Sequence, residues 1–192
     1  MNRRDAIKNA TLLLGGVLSA SAISGVMAGC KAEPKGSGWA PKFFTAEEGS
    51  TLEAIVDRII PKTDTPGAKD AGVQNFIDQM MAEFYQEKDK TAFRDGLKAI
   101  EAEAKTAHSK SFAALTPEQQ DAVLTKFDKE AYDPGRDKDA PPHFFRTMKE
   151  LTIMGFCTSE IGATEFLKYD PVPGSYKGCI PYSEVGAAWA TS

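Results

Sequence analysis

The sequence predicts an all-α fold: a single small domain of five to six helices with a long irregular C-terminal arm. Three observations carry that expectation. Apolar residues recur at spacings of three and four in five separate segments, and no segment alternates apolar and polar residues as a half-buried strand does. Two segments also open on complete helix-capping signals. With 192 residues, 42% hydrophobic and 26% charged, the chain has room for one such domain and a tail.

Thr45 is a good N-cap with Glu48 three residues on, and Leu52, Ile55, Val56, Ile59 and Ile60 then form one apolar stripe that Pro61 ends. Lys62 to Gly72, with Asp64, Pro66 and Gly67, reads as a turn-rich loop. A second stripe follows with Val73, Phe76, Ile77, Met80, Met81 and Phe84. A third helix is expected from about Lys90 to Ala107, with Phe93, Leu97, Ile100 and Ala104 on one face and Gly96 as a weak spot. Thr116-Pro117-Glu118-Gln119 combines an N-cap, a proline at the first helical position and a capping-box glutamine, ahead of Val123, Leu124 and Phe127. After a polar loop, Pro141-Pro142 precedes the most apolar helix, whose broad face holds Phe144, Phe145, Met148, Leu151, Thr152 and Gly155. A short helix is expected around Glu160 to Leu167. From Tyr169 to Tyr182, prolines and glycines preclude a helix.

The first residues read as an address. Arg3, Arg4 and Lys8 against Asp5 give the first 29 residues +2, leaving −6 for the remainder of a chain whose net charge is −4. A basic start, a mildly apolar run diluted by glycine and serine, and a small-residue exit make an export signal. Its paired arginines resemble the twin-arginine signal, which carries folded proteins to the periplasm. An uncleaved membrane anchor is the alternative. Met27-Ala28-Gly29-Cys30 resembles a lipobox, which would place a lipid on Cys30 and tether the protein to a membrane; cleavage after Ala20-Ser21-Ala22 is the other reading. The expected organisation is a signal over 1–29, a flexible tether over 30–44 and the helical domain over 45–192. Lipidation would leave Cys157 and Cys179 as an even pair in an oxidising compartment, where a bridge over 157–179 stabilises by roughly 3 kcal/mol. The competing reading is two free thiols.

The acidic balance argues against nucleic acid, whose phosphates need a basic face. There is no Gly-x-Gly-x-x-Gly after a strand, no Cys-x-x-Cys-His and no His-Glu-x-x-His, and hence no expected dinucleotide, flavin, haem or zinc site. His108 and His143 stand far apart, and His143 suits a capping role at a helix start. Glu160 reads as a first-turn helix acid, and Ser159 lacks a nucleophile elbow. The expectation is a chain with no catalytic site of its own.

Other segments carry a resemblance. They are Ile59-Ile60-Pro61, Thr63-Asp64-Thr65-Pro66-Gly67-Ala68 with Ala71-Gly72-Val73, Leu151-Thr152-Ile153-Met154-Gly155-Phe156 with Thr158-Ser159-Glu160, and Tyr169 with Pro171-Val172-Pro173-Gly174-Ser175-Tyr176 and Gly178-Cys179. In this order they resemble subunit 3, the gamma or small subunit, of gluconate 2-dehydrogenase and related bacterial sugar dehydrogenases, over about residues 45–182. The resemblance implies a hetero-oligomer. Its catalytic partner is a flavoprotein of the glucose–methanol–choline class that holds FAD and oxidises a sugar or sugar acid. A multihaem cytochrome c subunit often takes the electrons, and the small subunit supplies the export signal. The partner interface is then expected on the turn with Pro61, Pro66, Gly67 and Val73, and on the arm with Tyr169, Pro173, Tyr176 and Tyr182. The rival reading is an autonomous envelope lipoprotein that stacks a sugar or polymer on Tyr169, Tyr176, Tyr182 and Trp189.

Overall fold

The computed structural model describes residues 39–135, 137, 141–172, 174–175 and 178–190. The expectations for Arg3, Arg4, Lys8 and Cys30, and for Pro173 and Tyr176, fall outside these residues. Five helices form the body: α1 (Ala46–Ile59), α2 (Val73–Glu83), α3 (Glu87–His108), α4 (Pro117–Ala131) and α5 (Phe144–Cys157). A 3₁₀ turn at Phe112–Ala114 precedes α4, a π-helical turn at Gly162–Phe166 follows α5, and a one-turn helix α6 (Tyr182–Val185) lies in the arm. Among the described residues the sole extended pairing is an isolated bridge between Lys168 and Trp189. The all-α expectation holds.

Local chemistry sets the helix starts. At α1 the Thr45 hydroxyl accepts from the Glu48 amide at 3.2 Å, and the Glu48 carboxylate accepts from the Thr45 amide at 3.0 Å. At α4, Thr116 and Gln119 make the same reciprocal pair, with Pro117 inside the first turn. Each box satisfies two amides that a helix start otherwise leaves open. The third helix begins at Glu87 rather than Lys90, because Glu87 and Asp89 place negative charge on its positive end.

Leu52, Ile55 and Val56 of α1 are fully buried, and burying each such side chain contributes about 1.5–3 kcal/mol. Both α1 and α5 pack against the other four long helices, so the core closes around this central pair. Gly96 is more than a weak spot: a Cβ there would lie 2.1 Å from the Phe144 ring, so its bare backbone is what lets the start of α5 rest on α3. At the other end of α5, Gly155 receives the Phe76 ring of α2 in the same way. Tyr85, just past α2, lies near Glu150; burial raises the phenol pKa, and the Glu150 and Asp89 carboxylates add to the rise. The Phe76–Gly155 contact near the start of α2, with Tyr85 beyond its end on the side of Glu150, runs α2 antiparallel to α5.

The body begins earlier than the expected tether boundary at 44. The amides of Lys42, Phe43 and Phe44 all donate to the Asp78 carboxylate, at 2.7, 3.0 and 3.1 Å. Arg94 of α3 donates to the Phe43 carbonyl and places its guanidinium 4.2 Å from the Phe43 ring centroid. Trp39 and Pro41 pack over Gly49. Residues 39–44 are therefore fastened to α1, α2 and α3. Sequence reasoning passed over Asp78 because an acid inside an apolar helix stripe looks like a solvated position, whereas here it is 1% exposed.

Candidate interaction surface

The last two turns of α5 are apolar all the way round. Leu151, Thr152, Gly155 and Phe156 face the core, and the Thr152 hydroxyl is satisfied by the Met148 carbonyl at 2.7 Å. Ile153 and Met154 point the other way, each 50% exposed. A helix that is hydrophobic around its whole circumference is ordinarily buried on every side. This end of α5 is covered on one side alone.

The chain then folds back over the helix end. The Ser159 hydroxyl donates to the Phe156 carbonyl at 2.7 Å and accepts from the Gly162 amide at 2.9 Å. Gly162 lies against the Phe156 carbonyl so closely that a Cβ would sit 1.8 Å from its oxygen. The π turn that follows places Phe166 edge-on to Phe156, with ring centroids 5.3 Å apart, and leaves Phe166 half exposed. Tyr169, Val172, Ile180 and Tyr182 continue the exposed apolar series into the arm. Sequence reasoning missed Ile153, Met154 and Phe166. The available signal was the run from Leu151 to Cys157, in which Thr152 alone is polar and which is too apolar for a helix with one wet side.

The predicted interface residues divide. Val73 is fully buried core, and Gly67 is buried where a Cβ would meet the Ile60 carbonyl and the Lys62 amide below 3 Å. Pro61 is exposed and Pro66 half-buried, in a turn tied by the Ala68 amide to the Ile60 carbonyl and by Lys62 to Asp70. The Phe76–Gly155 contact brings the start of α2, and so the end of that turn, beside the exposed end of α5. Tyr169 and Tyr182 are exposed.

The proposed Cys157–Cys179 bridge is corrected. Both thiols are free, with Cys157 half-buried at the end of α5 and Cys179 exposed. The arm is instead closed on itself by the pairing of Lys168 with Trp189, on either side of Cys179 in the sequence.

Of the polar residues weighed for chemistry, His143 and Ser159 have structural partners. His143 caps α5, its Nδ1 accepting from the Phe145 amide at 3.3 Å. Ser159 is committed to the turn, and Glu160 is exposed at its start. A cleft of about 640 Å³ opens between α1 and α3, but the Glu101 carboxylate on its wall is engaged by the Thr51 hydroxyl at 2.6 Å and the Phe112 amide at 3.2 Å. Among the described residues no three His, Cys, Asp or Glu side chains gather to hold a metal, and no helix is long and apolar enough to cross a membrane.

No curated protein and no solved structure matches the chain. The family model described as gluconate 2-dehydrogenase subunit 3 matches residues 46–174, which spans α1 through the first part of the arm. On that match the chain belongs to the gluconate 2-dehydrogenase subunit 3 family, whose name makes its members components of a dehydrogenase complex.

Proposed function

We propose that this chain is the non-catalytic small subunit of a periplasmic, FAD-dependent dehydrogenase of sugars or sugar acids. The observation that carries the reading is the uncovered apolar end of α5, continued by Phe166 and the arm. Such a surface on a family member described as one subunit of a complex fits a large, permanent protein partner. That partner is a flavoprotein of the glucose–methanol–choline class, which holds the FAD and the substrate, while a multihaem cytochrome c or another acceptor removes the electrons. The small subunit escorts the folded flavoprotein through twin-arginine export, using the signal with Arg3, Arg4 and Lys8, and a lipid on Cys30 holds the pair at the membrane. Binding only the folded partner also stabilises it by mass action, by about 2.7 kcal/mol at a free concentration one hundred times Kd.

The direct test is purification through a C-terminal tag from the host envelope. Two bands in equal amount with oxidised-flavin absorption are expected; a single colourless band would overturn the reading. Deleting the gene should leave the flavoprotein in the cytoplasm, and normal export without it would end the escort role. Ile153→Glu combined with Met154→Glu, a pair that keeps good helix formers on an already exposed face, should weaken the complex 100-fold or more. The melting temperature of the isolated chain should move by no more than a few degrees. Undiminished affinity on titration would remove this face from the interface.

A further inference from the structure

We propose that Lys168 and Trp189 form a clasp that sets the arm in its binding shape before the partner arrives, so that both are positioning residues for a contact made by others. This rests on the subunit reading above and adds how the arm is readied. The clasp has four parts. The Lys168 amide donates to the Ala188 carbonyl at 2.8 Å, and the Ala190 amide donates to the Lys168 carbonyl at 2.9 Å. The Lys168 ammonium lies 4.7 Å from the centroid of the Trp189 ring. It also reaches the Val185 carbonyl at 3.4 Å, at the negative end of α6. Gly186, at φ +78°, turns the chain out of α6 and donates to the Tyr182 carbonyl at 2.8 Å, while the Tyr182 hydroxyl donates to the Gly186 carbonyl at 3.1 Å.

The division of labour among the side chains supports the assignment. A segment that merely completed the core would turn its apolar residues inward and leave lysine outside. Here the lysine is spent on internal fastening, while Tyr169, Val172, Ile180 and Tyr182 face solvent. An arm without such closure would lose its conformational freedom at the moment of binding and weaken association accordingly. The clasp takes that loss at folding instead. Lys168 is also the second residue after Phe166, so the clasp fixes the arm to the same turn that seats Phe166 on Phe156. The clasp and the exposed Phe166 thus stand two residues apart in the chain.

The test uses the full chain with and without its flavoprotein partner. Trp189→Ala is compared with Trp189→Phe, which keeps an aromatic face, and with Lys168→Met, which keeps the stem and removes the charge. In the isolated chain, hydrogen exchange at the Lys168 and Ala190 amides should rise at least tenfold in Trp189→Ala and less in Trp189→Phe, with α1 to α5 unchanged. Partner affinity should fall about tenfold in Trp189→Ala and Lys168→Met, with partial recovery in Trp189→Phe. Faster exchange with unchanged affinity would overturn the clasp while leaving the subunit reading intact. Lost affinity with unchanged exchange would also overturn it, by making Trp189 a direct contact. A wild-type chain that binds no flavoprotein, yet shows the protected amides, would instead bring down the subunit reading and with it the arm's purpose.

Discussion

Asp78→Ala should lower the melting temperature of the protein by about 10 °C, corresponding to a loss of about 3–5 kcal/mol. The carboxylate is buried and accepts three consecutive backbone amides, those of Lys42, Phe43 and Phe44. Removing it strands all three donors, and each unsatisfied buried donor costs about 1–3 kcal/mol. The Lys42 and Phe43 amides are only partly buried, so water recovers some of that sum. Asp78→Asn keeps one acceptor oxygen and should cost about half as much. Thermal and urea unfolding of the three proteins would check the ordering. An Asp78→Ala transition coincident with wild type would show that solvent replaces the carboxylate at no cost, and the account of residues 39–44 would have to be withdrawn.

Gly162→Ala is the second large effect. Alanine ordinarily favours a helix over glycine by about 1 kcal/mol, which here would point to stabilisation. Geometry reverses the sign. The new methyl would sit 1.8 Å from the Phe156 carbonyl oxygen and 3.0 Å from the Ser159 hydroxyl, and the first obstacle is backbone that cannot swing aside. Overpacking of this kind costs about 3 kcal/mol, the upper part of its usual range. The π turn should open, Phe166 should leave Phe156, and the complex should weaken tenfold or more because the arm begins from this turn. Near-ultraviolet circular dichroism and titration against the proposed flavoprotein partner would report the two consequences separately. An intact turn with full affinity would show that the backbone shifts freely, contrary to its packing against α5.

Much of the body was legible from sequence, for reasons that are local. Thr45 with Glu48 and Thr116 with Gln119 announce helix starts because the partners of those backbone amides lie within four residues. The stripes of α1 and α3 announce their inner faces because helical periodicity brings Leu52, Ile55 and Val56, or Phe93, Leu97 and Ile100, to one side. What escaped depends on distant segments meeting. Asp78 acquires its purpose from residues about thirty-five positions earlier, and Gly96 from a phenylalanine in another helix. The proposed partner surface is composed of residues of both kinds. The exposed arm with Tyr169 and Tyr182 could be read from its prolines and aromatics. Val73 was legible as interior from its place in the second apolar stripe, so assigning it to the interface set it against that stripe, whereas Gly67 could not be recognised as buried, because a turn's outer and inner residues look alike in a linear sequence. The paired cysteines misled, since an even count of thiols says nothing about whether the two meet in space.

The fastening of residues 39–44 also governs how the body carries a mechanical load. A pull delivered from the N-terminal side reaches the Asp78 carboxylate on α2 and the Arg94 guanidinium on α3 before it reaches the first turn of α1. Three hydrogen bonds to Asp78 and the Arg94 guanidinium over the Phe43 ring share that load, so it is borne by two helices of the bundle. Thr45 and Glu48 lie in the slack behind this anchor point.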